Sequence, residues 1–283
     1  DSAKNQELLK ALQFVDVLAL LVRAFPDDTV FHLDGSVDAL RDIDLVQSEL
    51  LLNDLLFVEK RLERIAKEQI RRGGARPGDS ERRPGVDRAK EQALLTTLQT
   101  HLNDNRPLRT LPLGAEDQAQ LRGAPLLTRK PFLIILNMGE ADLQDRRLRE
   151  AVAQRVAAHQ VHLAQVSAKI EEELWALEDP AERAAFLTDL GIEESAIDRL
   201  TRVSYDALGL ISYFTVGPDE VRAWTVHRGA SAAEAGGVIH SDIERGFIRA
   251  ELITYDDLMA LGSEQAVASA GKAQLKSKEY LVE

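Results

Sequence analysis

Three short, largely apolar runs constrain this chain most: Val15 to Val22, Pro131 to Leu136 and Val161 to Val166. A strand buried on both faces needs no polar alternation, and such strands belong to parallel sheets covered by helices. A polar stretch at about 142–158 fits a helix between the second and third runs, and Leu8, Leu9 and Leu12 give residues 5–14 helical spacing. Strand, helix, strand in that order predicts an α/β domain with parallel strands.

A long insertion separates the first two runs. Leu51, Leu55, Val58, Leu62 and Ile65 follow a 4-3-4-3 spacing, the seam of a coiled coil. Leu94 or Leu95, with Leu98 and Leu102, supplies a shorter partner stripe, and the intervening GGARPGDSERRPG (73–85) is rich in helix breakers. Two antiparallel helices projecting from the sheet domain are expected. After about residue 206 the pattern becomes β-rich. Leu210 to Val216 and Val221 to His227 flank the turn Gly217-Pro218-Asp219-Glu220, and short helices and a strand over Phe247 to Ile253 follow. The predicted division is 1–44 and 129–204 for the sheet domain, 45–128 for the helical insertion, and 205–283 for a small α+β module.

Composition narrows the function classes. A net charge of −12 argues against a protein that binds nucleic acid through its overall charge, though a local basic patch remains compatible. The absence of cysteine excludes disulfides, thiolate metal sites and cysteine nucleophiles within these residues. No apolar run reaches the roughly 18 residues of a membrane span, and the first residues lack the plan of a signal peptide. A cytoplasmic protein with no membrane or DNA partner is expected. The chain starts at Asp1 without methionine and stops at Leu281-Val282-Glu283 in a strand-like stretch, so both ends are expected to be incomplete.

Ligands of open parallel sheets bind beyond the carboxyl ends of the strands. Three candidate loops fall there: Phe25 to Gly35 with His32, Asn137-Met138-Gly139-Glu140, and Ser167-Ala168-Lys169. The order of the last two matches the Asn-Lys-x-Asp and Ser-Ala-Lys loops with which GTPases recognise their base. A GTPase Asp accepts from two guanine donors, N1–H and the exocyclic amine. Met138 and Glu140 replace Lys and Asp here, which weakens the case for guanine. Alone, the tetrad fits an ordinary strand-to-helix turn equally well. The remaining histidines, His101, His159, His162, His227 and His240, have no metal-ligand spacing and are read as structural.

The altered tetrad, the helical insertion and two long stretches carry a family resemblance. The stretches are DDTVFHLDGSVDALRDIDLVQSELLLNDLLFVEKRLERI (27–65) and YFTVGPDEVRAWTVHRGASAAEAGGVIHSDIERGFIRAELITYDDL (213–258). Over essentially all of its length the chain resembles the YchF/Obg-like ATPases. That resemblance implies a P-loop NTPase fold with a coiled-coil insertion and a C-terminal β-grasp TGS domain whose last strand is missing. It implies ATP hydrolysis with Mg²⁺, with GTP bound less well. It places Asn137, Met138 and Glu140 on the adenine-recognition tetrad, Ser167 and Ala168 on the second base loop, and His32 on the histidine that assists hydrolysis. The chain departs from the pattern in having no G-x-x-x-x-G-K-S/T, so the loop and hydroxyl that hold phosphates and Mg²⁺ are expected to lie outside it. The fragment alone is expected to be inactive.

From Lys60 to Lys90 there are eleven Lys/Arg against five Asp/Glu, a local +6 in an acidic chain. Arg71, Arg72, Arg76, Arg82, Arg83 and Arg88 gather near the hairpin tip. Such a run fits either a solvated face or an RNA-phosphate contact. The family resemblance favours the ribosome, through its large subunit or ribosomal RNA. Two functions therefore stand side by side: an ATPase switch docking on the ribosome, and a non-catalytic ribosome- or RNA-binding module with a vestigial nucleotide pocket.

Overall fold

The computed structural model describes residues 2–73, 88–217 and 220–283, and the side chains of 2–6, 69 and 71–73 lie outside that description. The chain divides into two compact units, Asp1–Ala207 and Leu208–Glu283.

The first unit is built on three parallel strands, β1 (Leu18–Ala24), β2 (Phe132–Met138) and β3 (Val161–Val166), in the order β1-β2-β3. Leu18 pairs with Phe132 and Phe132 with Val161, so the three strands end within one residue of each other, at Ala24, Met138 and Val166. Helices α1 (Ser2–Ala11), α2 (Ala39–Gly73), α3 (Arg88–Asn103), α4 (Ala115–Gln120), α5 (Arg147–Arg155), α6 (Ala168–Ala176), α7 (Pro180–Asp189) and α8 (Ala196–Leu208) complete the order, α8 running to the boundary between the units. Ile43 and Leu50 of α2 and Val152 of α5 bury one sheet face with Val22, Ile134, Leu136 and Met138.

The structure corrects several expected boundaries. β1 starts at Leu18 because Leu18 N–H is the first to reach a partner, donating to Pro131 O at 3.0 Å. Within these residues its burial alternates: Leu18 and Val22 are buried and Leu21 is 63% exposed. β2 runs on through Asn137 and Met138, since both still pair with β1. The helix expected over 142–158 is the shorter α5, flanked by 3-10 turns at Glu140–Asp142 and Ala157–His159.

The insertion is a helical hairpin. α2 has 35 residues, about 50 Å at 1.5 Å per residue. Val58 and Ile65 bury against Leu94, Leu95, Leu98 and Leu102, with Leu51, Leu55 and Leu62 packed alongside. Cross-pairs Arg61–Glu91 at 2.6 Å and Arg88–Glu68 at 3.1 Å run in opposite senses along the two helices, which makes them antiparallel. Every residue of the predicted seam thus belongs to or packs against the hairpin's apolar cluster.

A buried carboxylate ties the hairpin to the sheet. Asp54 on α2 is 0% exposed. Its oxygens accept from Leu127 N–H at 2.8 Å, and from Thr128 N–H and Oγ–H at 2.7 Å each. Those residues lead directly into β2. Burial pushes the Asp54 carboxyl up, and the bonds from Thr128, Leu127 and Asn53 pull it back. Arg109 supplies a nearby positive charge. It donates to His159 O at 2.7 Å and stacks 5.1 Å from the Phe132 ring centroid, and burial lowers its pKa to about 10.

The second unit holds two antiparallel strand pairs. β4 (Leu210–Val216) pairs β5 (Val221–His227), and β6 (Arg249–Leu252) pairs β7 (Gln274–Ser277). The strand expected over Phe247 to Ile253 is the shorter β6, and β7 is additional. Between β5 and β6 lie α9 (Ala232–Ile239) and α10 (Ser241–Arg245), and between β6 and β7 lie α11 (Tyr255–Leu261) and α12 (Glu264–Ser269). Gly236 and Gly237 let α9 approach α10, since a Cβ on Gly237 would stand 2.5 Å from Glu244 Oε2 and one on Gly236 2.9 Å from Ile243 Cγ2. Leu281 forms a bridge with Ser231, and Val282 N–H donates to Ala230 O at 2.9 Å. Pro218 and Asp219 of the expected turn lie outside the described residues.

Asp54→Ala should destabilise the protein by at least about 2 kcal/mol in urea unfolding, because two buried amides lose their acceptors at ~1–3 kcal/mol each. Asp54→Asn, which keeps one acceptor, should cost less. Equal stability of wild type and the alanine variant would show that the carboxylate does not join hairpin to sheet.

Candidate functional site

The strand ends of the first unit set out three loops side by side. From β1 the chain enters a loop shaped by Arg23. This guanidinium donates to Phe25 O at 3.1 Å, Asp27 O at 2.8 Å and Val30 O at 2.8 Å, and stacks 4.9 Å from the Phe25 ring centroid. Asp27 accepts from the Thr29 amide and hydroxyl, which holds its carboxyl below the usual range. Gly35 adopts φ +72° and its N–H closes a turn on His32 O at 3.0 Å. Asp38 then caps α2, accepting from Arg41 N–H at 3.1 Å.

His32 is folded back from this loop onto the first turn of α2. Its Nε2 lies 3.1 Å from Asp42 Oδ2, and its Nδ1 accepts from Asp34 N–H at 3.3 Å. Both ring nitrogens are thus engaged. Asp42 Oδ1 accepts from Arg41 Nε at 2.9 Å and Nη2 at 2.8 Å, and this carboxylate raises the Arg41 pKa further. A cleft of about 390 Å³ opens next to this loop, lined mainly by Ala24, Phe25, Pro26, Val37 and Leu40.

The second and third loops meet through side chains. Asn137 Oδ1 accepts from Ala168 N–H at 3.0 Å. Ser167, buried, caps α6 by accepting from Ile170 N–H at 3.5 Å. Glu140 is exposed, with Lys169 Nζ 3.8 Å from its Oε2. Met138 is only 4% exposed and its side chain belongs to the sheet core. Gly139 sits close to the first loop, since a Cβ there would stand 3.6 Å from Phe25 Cβ.

Asn137, Glu140, Ala168 and Lys169 therefore form one group, and His32 with Asp42 and Arg41 forms another beside it. Sequence reasoning missed Arg23, Arg41 and Asp42, and passed over Lys169 although it named its loop. One signal existed for Arg23: it is the single charged residue in the strand LALLVRA. Asp42 gave none, because an acidic residue in a first helical turn is ordinary dipole complementation.

Of the basic residues near the hairpin tip, Arg88 opens α3 and pairs with Glu68 at 3.1 Å. Arg71 and Arg72 end α2, their side chains undescribed, while Arg76, Arg82 and Arg83 lie outside the described residues. Among the described residues no helix is long and apolar enough to cross a membrane.

Comparison with known proteins gives a consistent answer. A family model described as YchF-GTPase_C, protein of unknown function (DUF933), matches residues 210–283. The "Ribosome-binding ATPase YchF" of Bacillus subtilis (strain 168) is 39% identical over 282 residues, covering 99% of this chain and 74% of the relative. The protein of the same name from Escherichia coli O157:H7 is 34% identical, covering 98% of this chain and 73% of the relative. "Obg-like ATPase 1" of Oryza sativa subsp. japonica is also 34% identical, covering 97% and 67%. The solved structure of the Schizosaccharomyces pombe YchF GTPase superposes with a TM-score of 0.80 at 32% identity, covering 97% of this chain and 72% of that one. With the parallel sheet, the helical hairpin and the α+β unit all in place, the chain belongs to the YchF family of Obg-like ATPases.

Proposed function

We propose that this chain supplies the base-recognition and hydrolysis-assisting loops of a cytoplasmic, ribosome-associated ATPase switch that prefers ATP to GTP. The observation that carries the reading is the Asn137–Ala168 hydrogen bond, which joins two loops into one platform at the strand ends. Guanine offers two donors to a carboxylate, and here the carboxylate is the longer Glu140, facing the Lys169 ammonium at 3.8 Å. Adenine offers an acceptor at N1 and a donor at N6, which a peptide N–H and C=O match. The backbone around Gly139 is assigned that role. Met138 contributes by packing into the core, where it fixes the exit of the loop. His32 assists the attacking water. The names of the Bacillus subtilis and Escherichia coli relatives support ATP and the ribosome as partners.

The residues present do not fit a Mg²⁺ site: among those described, no group of three His, Asp or Glu side chains is placed to hold a metal ion. No step is assigned to Mg²⁺ here. The alternative reading is a non-catalytic ribosome- or RNA-binding module with a vestigial nucleotide pocket, supported by the local positive charge of residues 60–90 in a chain of net −12. These 283 residues contain no G-x-x-x-x-G-K-S/T. Triphosphate contacts supply most transition-state stabilisation in this chemistry. The purified chain should therefore bind ATP weakly and show no turnover, and hydrolysis that is lost in His32→Ala would refute this.

Base choice is testable in a chimera that joins these residues to the remainder of the Bacillus subtilis relative. Calorimetric titration should give tighter binding of ATP than of GTP. Because Met138 is buried, the informative change is Glu140→Asp alone, which should move preference toward GTP. A charged hydrogen-bond pair is worth roughly 1.5–3 kcal/mol, about tenfold or more. A chimera preferring GTP by that margin before mutation would make the adenine assignment wrong.

The hairpin tip is assigned to the large ribosomal subunit, through phosphates of ribosomal RNA. Its local positive charge stands out in a chain of net −12, so contact must be local. Replacing Arg71, Arg72, Arg82 and Arg83 with Ala should weaken ribosome co-sedimentation and flatten its salt dependence, by about 0.7–0.9 per lost phosphate contact. Unchanged binding would return the tip to a solvated face and shift attention to Arg222 and His227 on β5.

A further inference from the structure

The residues flanking His32 do not hold it: Phe31 is 83% and Leu33 87% exposed. The imidazole alone is folded back, its side chain 17% exposed, and the group that receives it is Asp42. We infer that Asp42 is the positioning residue of His32, and that it makes Nδ1, not Nε2, the basic nitrogen of the ring. This rests on the reading of His32 as the hydrolytic base.

Donors and acceptors around the ring decide its tautomer. The Asp34 amide can only donate, so Nδ1, 3.3 Å away, accepts. A neutral imidazole has one donor and one acceptor, which puts the proton on Nε2. Nε2–H then donates to Asp42 Oδ2 at 3.1 Å. Asp42 cannot turn away, because Arg41 holds its Oδ1 with two donors at 2.8 and 2.9 Å. Arg41 is itself anchored on Ser36, at 2.9 Å to Oγ and 2.7 Å to the carbonyl. The Asp–His pair thus fixes tautomer and ring orientation together, the role an orienting carboxylate plays beside other catalytic histidines.

The long Nδ1 contact is the one that a water can replace. In the assigned step, a water proton passes to Nδ1 while the water oxygen bonds to the γ-phosphorus of ATP. The bridging oxygen leaves on ADP with the electron pair of the broken P–O bond. Imidazolium so formed keeps Nε2–H on the Asp42 carboxylate, which stabilises the charge.

The test is the imidazole ¹⁵N spectrum of the labelled chain at alkaline pH. Wild-type His32 should be the Nε2–H tautomer. In Asp42→Asn, Arg41 has only donors and keeps the amide oxygen, so the amide NH₂ faces Nε2 and the proton should move to Nδ1. Asp42→Ala should give a mixture of both forms. A wild-type Nδ1–H tautomer overturns the inference even if no variant folds, and so does an Asp42→Asn ring signature identical to wild type. Turnover in the chimera separates this from the reading beneath it. Loss of kcat in Asp42→Asn, with KM for ATP unchanged, should approach the roughly 10²–10⁴-fold share of a general base. His32→Ala retaining full turnover would refute the role of His32. His32→Ala losing turnover while Asp42→Asn keeps it would refute only the role of Asp42.

Discussion

Much of the first unit depends on where one buried carboxylate sends its hydrogen bonds. Asp54 has no exposed surface, and its oxygens collect the two amides and the hydroxyl that begin the approach to β2. A carboxylate taken out of water is tolerated only when such donors replace its hydration. The arrangement therefore has one good solution, with α2 fixed against the lead-in to the central strand. Arg109 adds a compensating charge and carries the connection to His159 beyond α5. The hairpin is long, but its root is fixed.

That fixed root matters because α2 reaches the site as well as the hairpin. Asp38 caps it, its first turn carries Arg41 and Asp42, and its middle carries Asp54. The same rigid rod is anchored on β2 through Asp54 and receives His32 through Asp42. Registering α2 against β2 thus also sets the loop after β1 relative to the loop after β2. The close approach of Phe25 to Gly139 is where these two placements meet.

The apolar runs made the sheet legible, because parallel strands covered by helices are apolar along most of their length. The hairpin was equally legible from the spacing of Leu51, Val58, Leu62 and Ile65. Strand ends were read less well: Asn137 and Met138 look like loop residues, but pairing with Arg23 and Ala24 keeps both in β2. β7 escaped notice because QLKS has little apolar content and is held by backbone pairing to β6. At the site, the three loops follow from strand order alone, whereas the contacts between them do not. The Asn137–Ala168 bond spans 31 residues and the His32–Asp42 contact crosses a turn, and no local pattern encodes either.

The two halves of the site are held with different stiffness, which suits different tasks. The proposed base platform grows from strand ends and buried groups: Met138 in the core, Ser167 buried at its helix cap, Asn137 bonded across to Ala168. A platform that discriminates between bases by hydrogen-bond pattern must not rearrange, since a flexible one would adapt to either base. The His32 loop instead hangs on Arg23 and Arg41, exposes Phe31 and Leu33, and leaves Nδ1 on a 3.3 Å contact. Few buried contacts and exposed hydrogen bonds put such a segment at the low-stability end of a fold. Water can therefore displace Asp34 from Nδ1 without disturbing Asp42 or Arg41, which keep the ring aligned from the rigid side. On the proposed reading, base recognition belongs to the more buried loops and hydrolysis to the loop held by exposed hydrogen bonds.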